Sequence, residues 1–236
     1  MTGEKLPFGK FPYPLAEEKA IPQIQESVIK MQNKNVRQLA VQILFCFGKT
    51  IMSAEEPAKK KAKLNDQSKS KAESLFGIFK PLIQDFLSNK NTRQNKDVFF
   101  QVIERFPIIR PLMVSELVAY SKQDGSVYSK MQAVALLQRV LCFTDESVLK
   151  LSSNILDAAG HIIEIVNKNE SPSPHHLREC LKLCTKLSTS FSKNSSSPPA
   201  LSKDTKAAVE SIFTCETAIR FPDLSNLAKK VISSFN

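Results

Sequence analysis

DVFFQVIERFPIIRPLMVSELVAYSKQDGSVYSKMQAVALLQRVLCFTDESVLKLSSNILDAAGHIIEIVNK, residues 97–168, is the stretch that decides the fold. Phe99, Val102, Ile103 and Phe106 follow the i, i+3, i+4, i+7 spacing that lines one face of a helix. Pro107 should end that helix. Pro111 suits a first-turn position, where a missing N–H costs nothing, and Leu112, Leu117 and Tyr120 carry a second stripe before Asp124-Gly125 turns the chain. In the next helix Val127, Met131, Val134, Leu137 and Leu141 line one side, with Ser129, Lys130, Gln132, Gln138 and Arg139 on the rest. Thr144 is a candidate cap for a further helix, with Asp145 and Glu146 in its first turn and a stripe of Val148, Leu151, Ile155, Ala159, Ile162 and Val166. Such helices bury too little surface alone. Each needs a neighbour, which argues for layered helix pairs.

The 236 residues, 42% hydrophobic, suffice for one elongated domain or two small ones. Alternating Val/Ile/Thr segments joined by hairpin turns are missing, so the expected class is all-α. A formal charge of +10 suits an anionic partner: nucleic acid, an acidic protein segment or an anionic membrane surface. Half of that excess sits in residues 59–71, where six lysines against Asp66 give +5. The N-terminus lacks the apolar core of a signal peptide, no apolar run approaches the ~18 residues of a membrane span, and the five cysteines form no paired framework. A soluble intracellular protein with reduced thiols is expected.

Residues 1–21 interleave Pro7, Pro12 and Pro14 with Phe8, Phe11 and Tyr13, an extended lead-in or a ligand motif. Residues 22–52 read as one helical hairpin, with Ile24, Val28 and Met31 on its first helix and Val36, Leu39, Ile43 and Phe47 on its second. Residues 53–71 are nearly free of apolar side chains and are expected to form a disordered basic linker. Residues 72–236 are the helical-repeat region. Its first helix either kinks at Pro81 or starts near Lys80. Ser173 and Ser202 are expected caps; Leu177, Leu181, Cys184, Leu187 and Phe191, then Val209, Ile212, Phe213 and Ile219, then Leu224, Leu227, Val231 and Phe235 should face inward. Hairpins begin near residues 22, 75, 127 and 174, about 50 residues apart, against ~40–47 for HEAT and armadillo units. The architecture expected is HEAT/armadillo-like stacked helical hairpins, an irregular α-solenoid, with an irregular bundle as the alternative.

The most specific functional signal is PAKKKAKL, residues 57–64, in which Lys60, Lys61 and Lys63 satisfy K-K-x-K and Lys59 extends the run. A nuclear import receptor reads such a segment extended, with lysine ammoniums in acidic pockets, so the pattern marks a nuclear localisation signal. The same lysines could contact phosphates of RNA or DNA. His176, Cys180 and Cys184 fall at i, i+4, i+8 with His175 adjacent, but no CxxC supplies the remaining ligands of a zinc site, and buried thiols are the better reading. His161 has no nucleophile or carboxylate partner within a recognised motif. No G-x-S-x-G, P-loop, G-x-G-x-x-G or H-E-x-x-H occurs, so neither a catalytic site, a cofactor, a metal nor a small-molecule substrate is expected. Ser171, Ser173 and Ser197 precede prolines and are weak candidates for phosphorylation.

The run NKDVFFQVIERFPIIRPLMVSELVAYSKQDGSVYSKMQAVALLQRVL, residues 95–141, together with the basic linker, resembles a segment of the Myb-binding protein 1A / DNA polymerase phi family of large helical-repeat proteins. The resemblance covers about a fifth of the chain and includes no diagnostic motif. The chain is much shorter than that family's members and lacks their strongly basic tail, so the resemblance implies a fragment or isoform. It further implies a nucleolar scaffold in ribosome biogenesis and transcriptional regulation, bound to other nuclear proteins. The alternative is a nucleic-acid-associated factor that applies the lysine linker to rRNA or DNA.

Overall fold

A computed structural model describes residues 14–30, 34–53, 64–88, 96–143, 145–169, 172–194 and 197–235. Among these residues every regular element is helical, so the chain is all-α. The elements are α1 (Pro14–Lys30), α2 (Lys34–Ser53), α3 (Leu64–Ser88), α4 (Lys96–Arg105), α5 (Arg110–Lys122), α6 (Val127–Val140) and α7 (Glu146–Leu149). They continue with α8 (Ser152–Asn167), α9 (Pro174–Lys193), α10 (Lys203–Glu210), α11 (Glu216–Arg220) and α12 (Pro222–Ser234), and 3-10 turns lie at Pro107–Ile109 and Ser211–Thr214.

Side-chain caps start five of the described helices, because the first backbone N–H groups have no partner within the helix itself; one of them is Cys215, whose Sγ accepts from Ala218 N–H at α11. Ser126 accepts from Ser129 N–H at α6, Asp145 from Ser147 N–H at α7, Ser173 from His176 N–H at α9, and Ser202 from Thr205 N–H at α10. The expected single helix after residue 144 is two: α7 is one turn, and α8 restarts at Ser152. Asp145 caps α7, while Thr144 lies outside the described residues.

One row of helices runs α1, α3, α5, α8, α10, each packed on the next, and α4, α6, α9 and α12 pack on one another likewise. Across the rows α1 packs on α2, α5 on α6, α8 on α9 and α10 on α12. A continuous apolar core from Val28 to Phe235 joins them. The helix spacing read between residues 97 and 168 holds: Phe99, Val102, Ile103, Phe106, Leu117, Val134, Leu137, Ile155, Ile162 and Val166 are all buried. At the other end of the core Phe45, Phe79 and Phe106 form an aromatic cluster with ring centroids 5.5–5.7 Å apart.

Five further expectations are overturned. Residues 14–21, assigned to the extended lead-in, form the first two turns of α1. Residues 64–71, assigned to the linker, form the first two turns of α3. Val36, Leu39 and Ile43 are exposed, and α2 instead buries Ala40, Val41, Leu44 and Phe45. The chosen face is the one holding Gly48, where a Cβ would meet Phe106 Cζ at 2.8 Å and Leu75 Cδ1 at 2.9 Å, so the glycine lets these neighbours approach closely. Ile219, expected inward, is 72% exposed. Lys130, expected on a polar face, is buried, and its Nζ donates to the Ser121 carbonyl at 2.7 Å and to that of Gln123.

Pro81 neither breaks nor starts a helix, because α3 runs through it. A proline has no N–H for the carbonyl four residues earlier, here Gly77. Gln25 of α1 takes that role: its Nε2 donates to Gly77 O at 3.3 Å and to Ile78 O at 2.8 Å. Gln25 is itself buried, so the amide and the proline are two halves of one contact. A second close approach joins α8 to α10, where a Cβ on buried Gly160 would meet Thr205 Cα and Oγ1 at 2.9 Å.

Gln25→Leu should cost about 1–3 kcal/mol in urea unfolding, since it removes the donor to the Gly77 carbonyl, which Pro81 cannot serve, and to the buried Ile78 carbonyl. The cost should shrink when Pro81→Ala restores the helical N–H; equal costs in both backgrounds would refute the pairing. Gly160→Ala should destabilise by about 1–3 kcal/mol through overpacking against Thr205. Gly77→Ala, with nothing within 4 Å of its would-be Cβ, should gain about 0.5–1 kcal/mol from helix propensity.

Candidate interaction surface

On α2 the residues Ala40, Val41, Leu44 and Phe45 turn to the core, and that leaves the opposite side to solvent. There Leu39 is 58% and Ile43 37% exposed, with Val36 also exposed and Phe47 half-buried. Single exposed aliphatic residues are ordinary; a line of them along one helix face marks a contact surface. Beside this line lies a groove of about 890 Å³ between α2 and α4, lined by Arg37, Gln38, Gln42, Lys49, Gln101 and Arg105 among others. Asp97 is the one carboxylate lining it, and the Arg105 guanidinium lies 5.0 Å from the centre of the Phe45 ring. The surface is therefore amphipathic, apolar along α2 and basic toward α4.

Cations continue along the row of α4, α6, α9 and α12, many of them at joints. Arg139 lies 4.0 Å from Glu104 and over Phe100, Lys186 Nζ is 3.1 Å from Cys142 Sγ, and Arg178 bonds Asp223 at 2.7 Å. Lys193, Lys229 and Lys230 are exposed. Exposed pairs of this kind contribute little to stability, so the row matters chiefly for its field.

A second cleft, of about 800 Å³, lies over the junction of α8 and α10 and is lined by Lys122, Asp157, His161, Glu164, Asp204 and Thr205 among others. Its most central carboxylate is already used: Asp157 Oδ1 accepts from Ser202 Oγ at 2.7 Å and from Thr205 Oγ1 at 3.1 Å, bracing the α10 cap. Burial, and then the charge of Lys130, hold the His161 imidazole below its ordinary pKa, against an opposing pull from Glu164.

Cys180 and Cys184 are fully buried, and desolvation pushes the Cys184 thiol up to about 12 and Cys180 further in the same direction. Neither forms a thiolate at neutral pH, as ligand or nucleophile chemistry requires. Burial also holds His176 below its ordinary pKa, and among the described residues no group of three His, Cys, Asp or Glu is placed to bind a metal. Ser173 is occupied as the α9 cap, Ser197 is exposed, and Ser171 lies outside the described residues, as do Lys59, Lys60, Lys61 and Lys63. No described helix is long and apolar enough to cross a membrane.

Leu39 and Ile43 were visible in the sequence but read as core; Lys49 and Arg105 were not singled out, because the α2–α4 groove that joins them exists only after folding. Comparison with known protein families, with characterised proteins and with solved structures finds no match to the chain.

Leu39→Ser and Ile43→Ser should shift unfolding free energy by no more than about 0.5 kcal/mol each, as for exposed sites. Leu44→Ala, one position along on the buried face, should cost about 2–5 kcal/mol. Similar losses at all three positions would show that the exposed face is core.

Proposed function

We propose that this chain is a non-enzymatic scaffold that binds protein partners through the surfaces of HEAT/armadillo-like stacked helices in the nucleus. The observation that carries this reading is the amphipathic surface of α2 and α4, an exposed aliphatic line beside a basic groove, on a fold whose helix pairs pack on their neighbours along the chain. Proteins built of stacked helix pairs use such extended side surfaces for binding. The uncommitted acid–base groups that an enzyme would need are weakly represented: Asp157 supports a cap, and the paired cysteines are protonated.

The nuclear assignment rests on Lys59, Lys60, Lys61 and Lys63. The resemblance of residues 95–141 to the Myb-binding protein 1A / DNA polymerase phi family supports a nucleolar setting, with ribosome biogenesis or transcriptional regulation as the process served. The second reading is a nucleic-acid-associated factor. It draws on the excess of cations along α9 and α12, where Arg178, Lys182, Lys186, Lys193, Lys229 and Lys230 stand against Glu179 and Asp223.

Fused to a tandem fluorescent protein too large to diffuse through nuclear pores, the chain should accumulate in nuclei, and alanine at Lys59, Lys60, Lys61 and Lys63 should return it to the cytoplasm. Unchanged accumulation would remove the import signal. Affinity capture from nuclear extract should retain specific proteins after nuclease digestion. Loss of all of them with the nucleic acid would favour the second reading instead.

A further inference from the structure

The exposed side of α2 has a more specific pattern than general apolarity. Val36, Leu39, Ile43, Cys46 and Thr50 alternate at three and four residues, the spacing of the contact seam in a coiled coil. Leu39, Ile43, Cys46 and Thr50 are all exposed. Two heptads of helix extend about 22 Å at 1.5 Å per residue, enough to seat about four turns of a partner helix. Lys49 falls at the flanking position next to the seam, where a partner's charge is read.

Charge distinguishes the possible occupants. The sequence of α2 contains Lys34, Arg37 and Lys49 and no carboxylate, and Arg105 of α4 borders the adjoining groove. A second copy laid on the same face would oppose mainly cations with cations, with Asp97 the one groove carboxylate it could offer against Arg37, Lys49 and Arg105. A nucleic acid would satisfy the lysine but leave Leu39 and Ile43 in water, and the aromatic rings nearest the seam, Phe45 and Phe47, are buried and half-buried, so no exposed ring there stacks a base. An amphipathic helix with an aliphatic stripe flanked by carboxylates satisfies both features.

We propose that the seam Leu39–Ile43–Cys46 of α2, flanked by Lys49 and Arg105, is the docking site for an acidic amphipathic helix of a partner protein. This inference rests on the scaffold reading and gives its partner a chemistry. The apolar seam supplies most of the affinity. Lys49 and Arg105 select for acidic flanks and set the orientation of the docked helix.

The test is fluorescence anisotropy on the full chain with labelled helical peptides of about 18 residues, long enough to cover two heptads. One peptide carries leucines at seam spacing with glutamates flanking; a second replaces the glutamates by lysines, a third the leucines by serines; an oligouridine RNA is the fourth probe. The Leu/Glu peptide should bind at least about tenfold more tightly than the others. Leu39→Ser with Ile43→Ser should weaken it by about tenfold or more at unchanged thermal stability, and Lys49→Glu should shift preference toward the lysine peptide. The proposal is overturned by the absence of that preference, by tighter RNA binding that responds to Lys49, or by indifference to the seam substitutions. The scaffold reading fails separately: if the wild-type chain retains no protein after nuclease treatment, it is lost. If the seam variant retains the same proteins as wild type, only the docking site is.

Discussion

A helix that ends inside a protein leaves carbonyl oxygens that water cannot reach, and in this chain two buried cations meet that need. Arg110, at the start of α5, donates through Nε to the Ile103 carbonyl at 2.8 Å and through Nη2 to that of Glu104 at 3.4 Å, holding the last turn of α4. Lys130 of α6 does the same for the end of α5 through Ser121 and Gln123. Cationic donors suit the negative end of a helix dipole, and hydrogen bonds from charged groups are worth about 1.5–3 kcal/mol, above the neutral average. Asp145 lies 3.7 Å from Arg110 and the Phe143 ring 4.3 Å from its guanidinium, so the charge is paired and stacked. Burial of Lys130 is set against its carbonyl bonds and the nearby charge of Asp124. These contacts fix the angles at which α4, α5 and α6 succeed one another.

Elsewhere neutral donors serve the same purpose over longer separations. Gln25 answers the carbonyls beside Pro81, Ser190 Oγ donates to Leu141 O at 3.4 Å, and Thr217 Oγ1 to Pro172 O at 3.2 Å. Each ties a helix to the backbone of another element, which sets orientation more narrowly than apolar contact does. Apolar burial supplies the greater part of the driving force but is tolerant of sliding; a carbonyl has one direction of approach. The resulting rigidity is what would let a surface line such as Leu39–Ile43 keep its spacing.

The helices differ in what they present to solvent. After Pro222, the exposed positions of α12 are Asp223, Asn226, Lys229, Lys230 and Ser233, a polar face. Those of α2 include Leu39, Ile43 and Met52. Leaving aliphatic side chains in water forgoes free energy that burial would recover, at roughly 25 cal/mol for each Å² covered. The two faces differ in this respect: that of α12 is polar, and that of α2 is partly aliphatic. The chemistry-bearing groups, by contrast, are largely committed: Asp157 to two hydroxyls, the Cys180 and Cys184 thiols to the core.

The helical class, the starts of α6 and α9, the caps at Ser173 and Ser202 and about half of the apolar core between residues 97 and 168 follow from the sequence, because hydrophobic spacing and capping chemistry are local. The core face of α2 does not follow from spacing, because KNVRQLAVQILFCFGKTIMS holds two interleaved apolar stripes, and which one is buried depends on the approach of Leu75 and Phe106 to Gly48. Ile219 is read as core because its residue type allows no other reading; the end of the short α11 turns it outward. Lys130 is assigned to water by its charge, yet the neighbouring helix end offers carbonyls that only a long donor reaches. The polar start of α3 is read as linker for its composition, although it continues a helix whose later turns are buried. Sequence alone determined that the chain is helical and which side chains are apolar; tertiary structure decided how far some helices extend, which apolar face is covered and which charge is buried, because these depend on contacts between residues far apart in the chain.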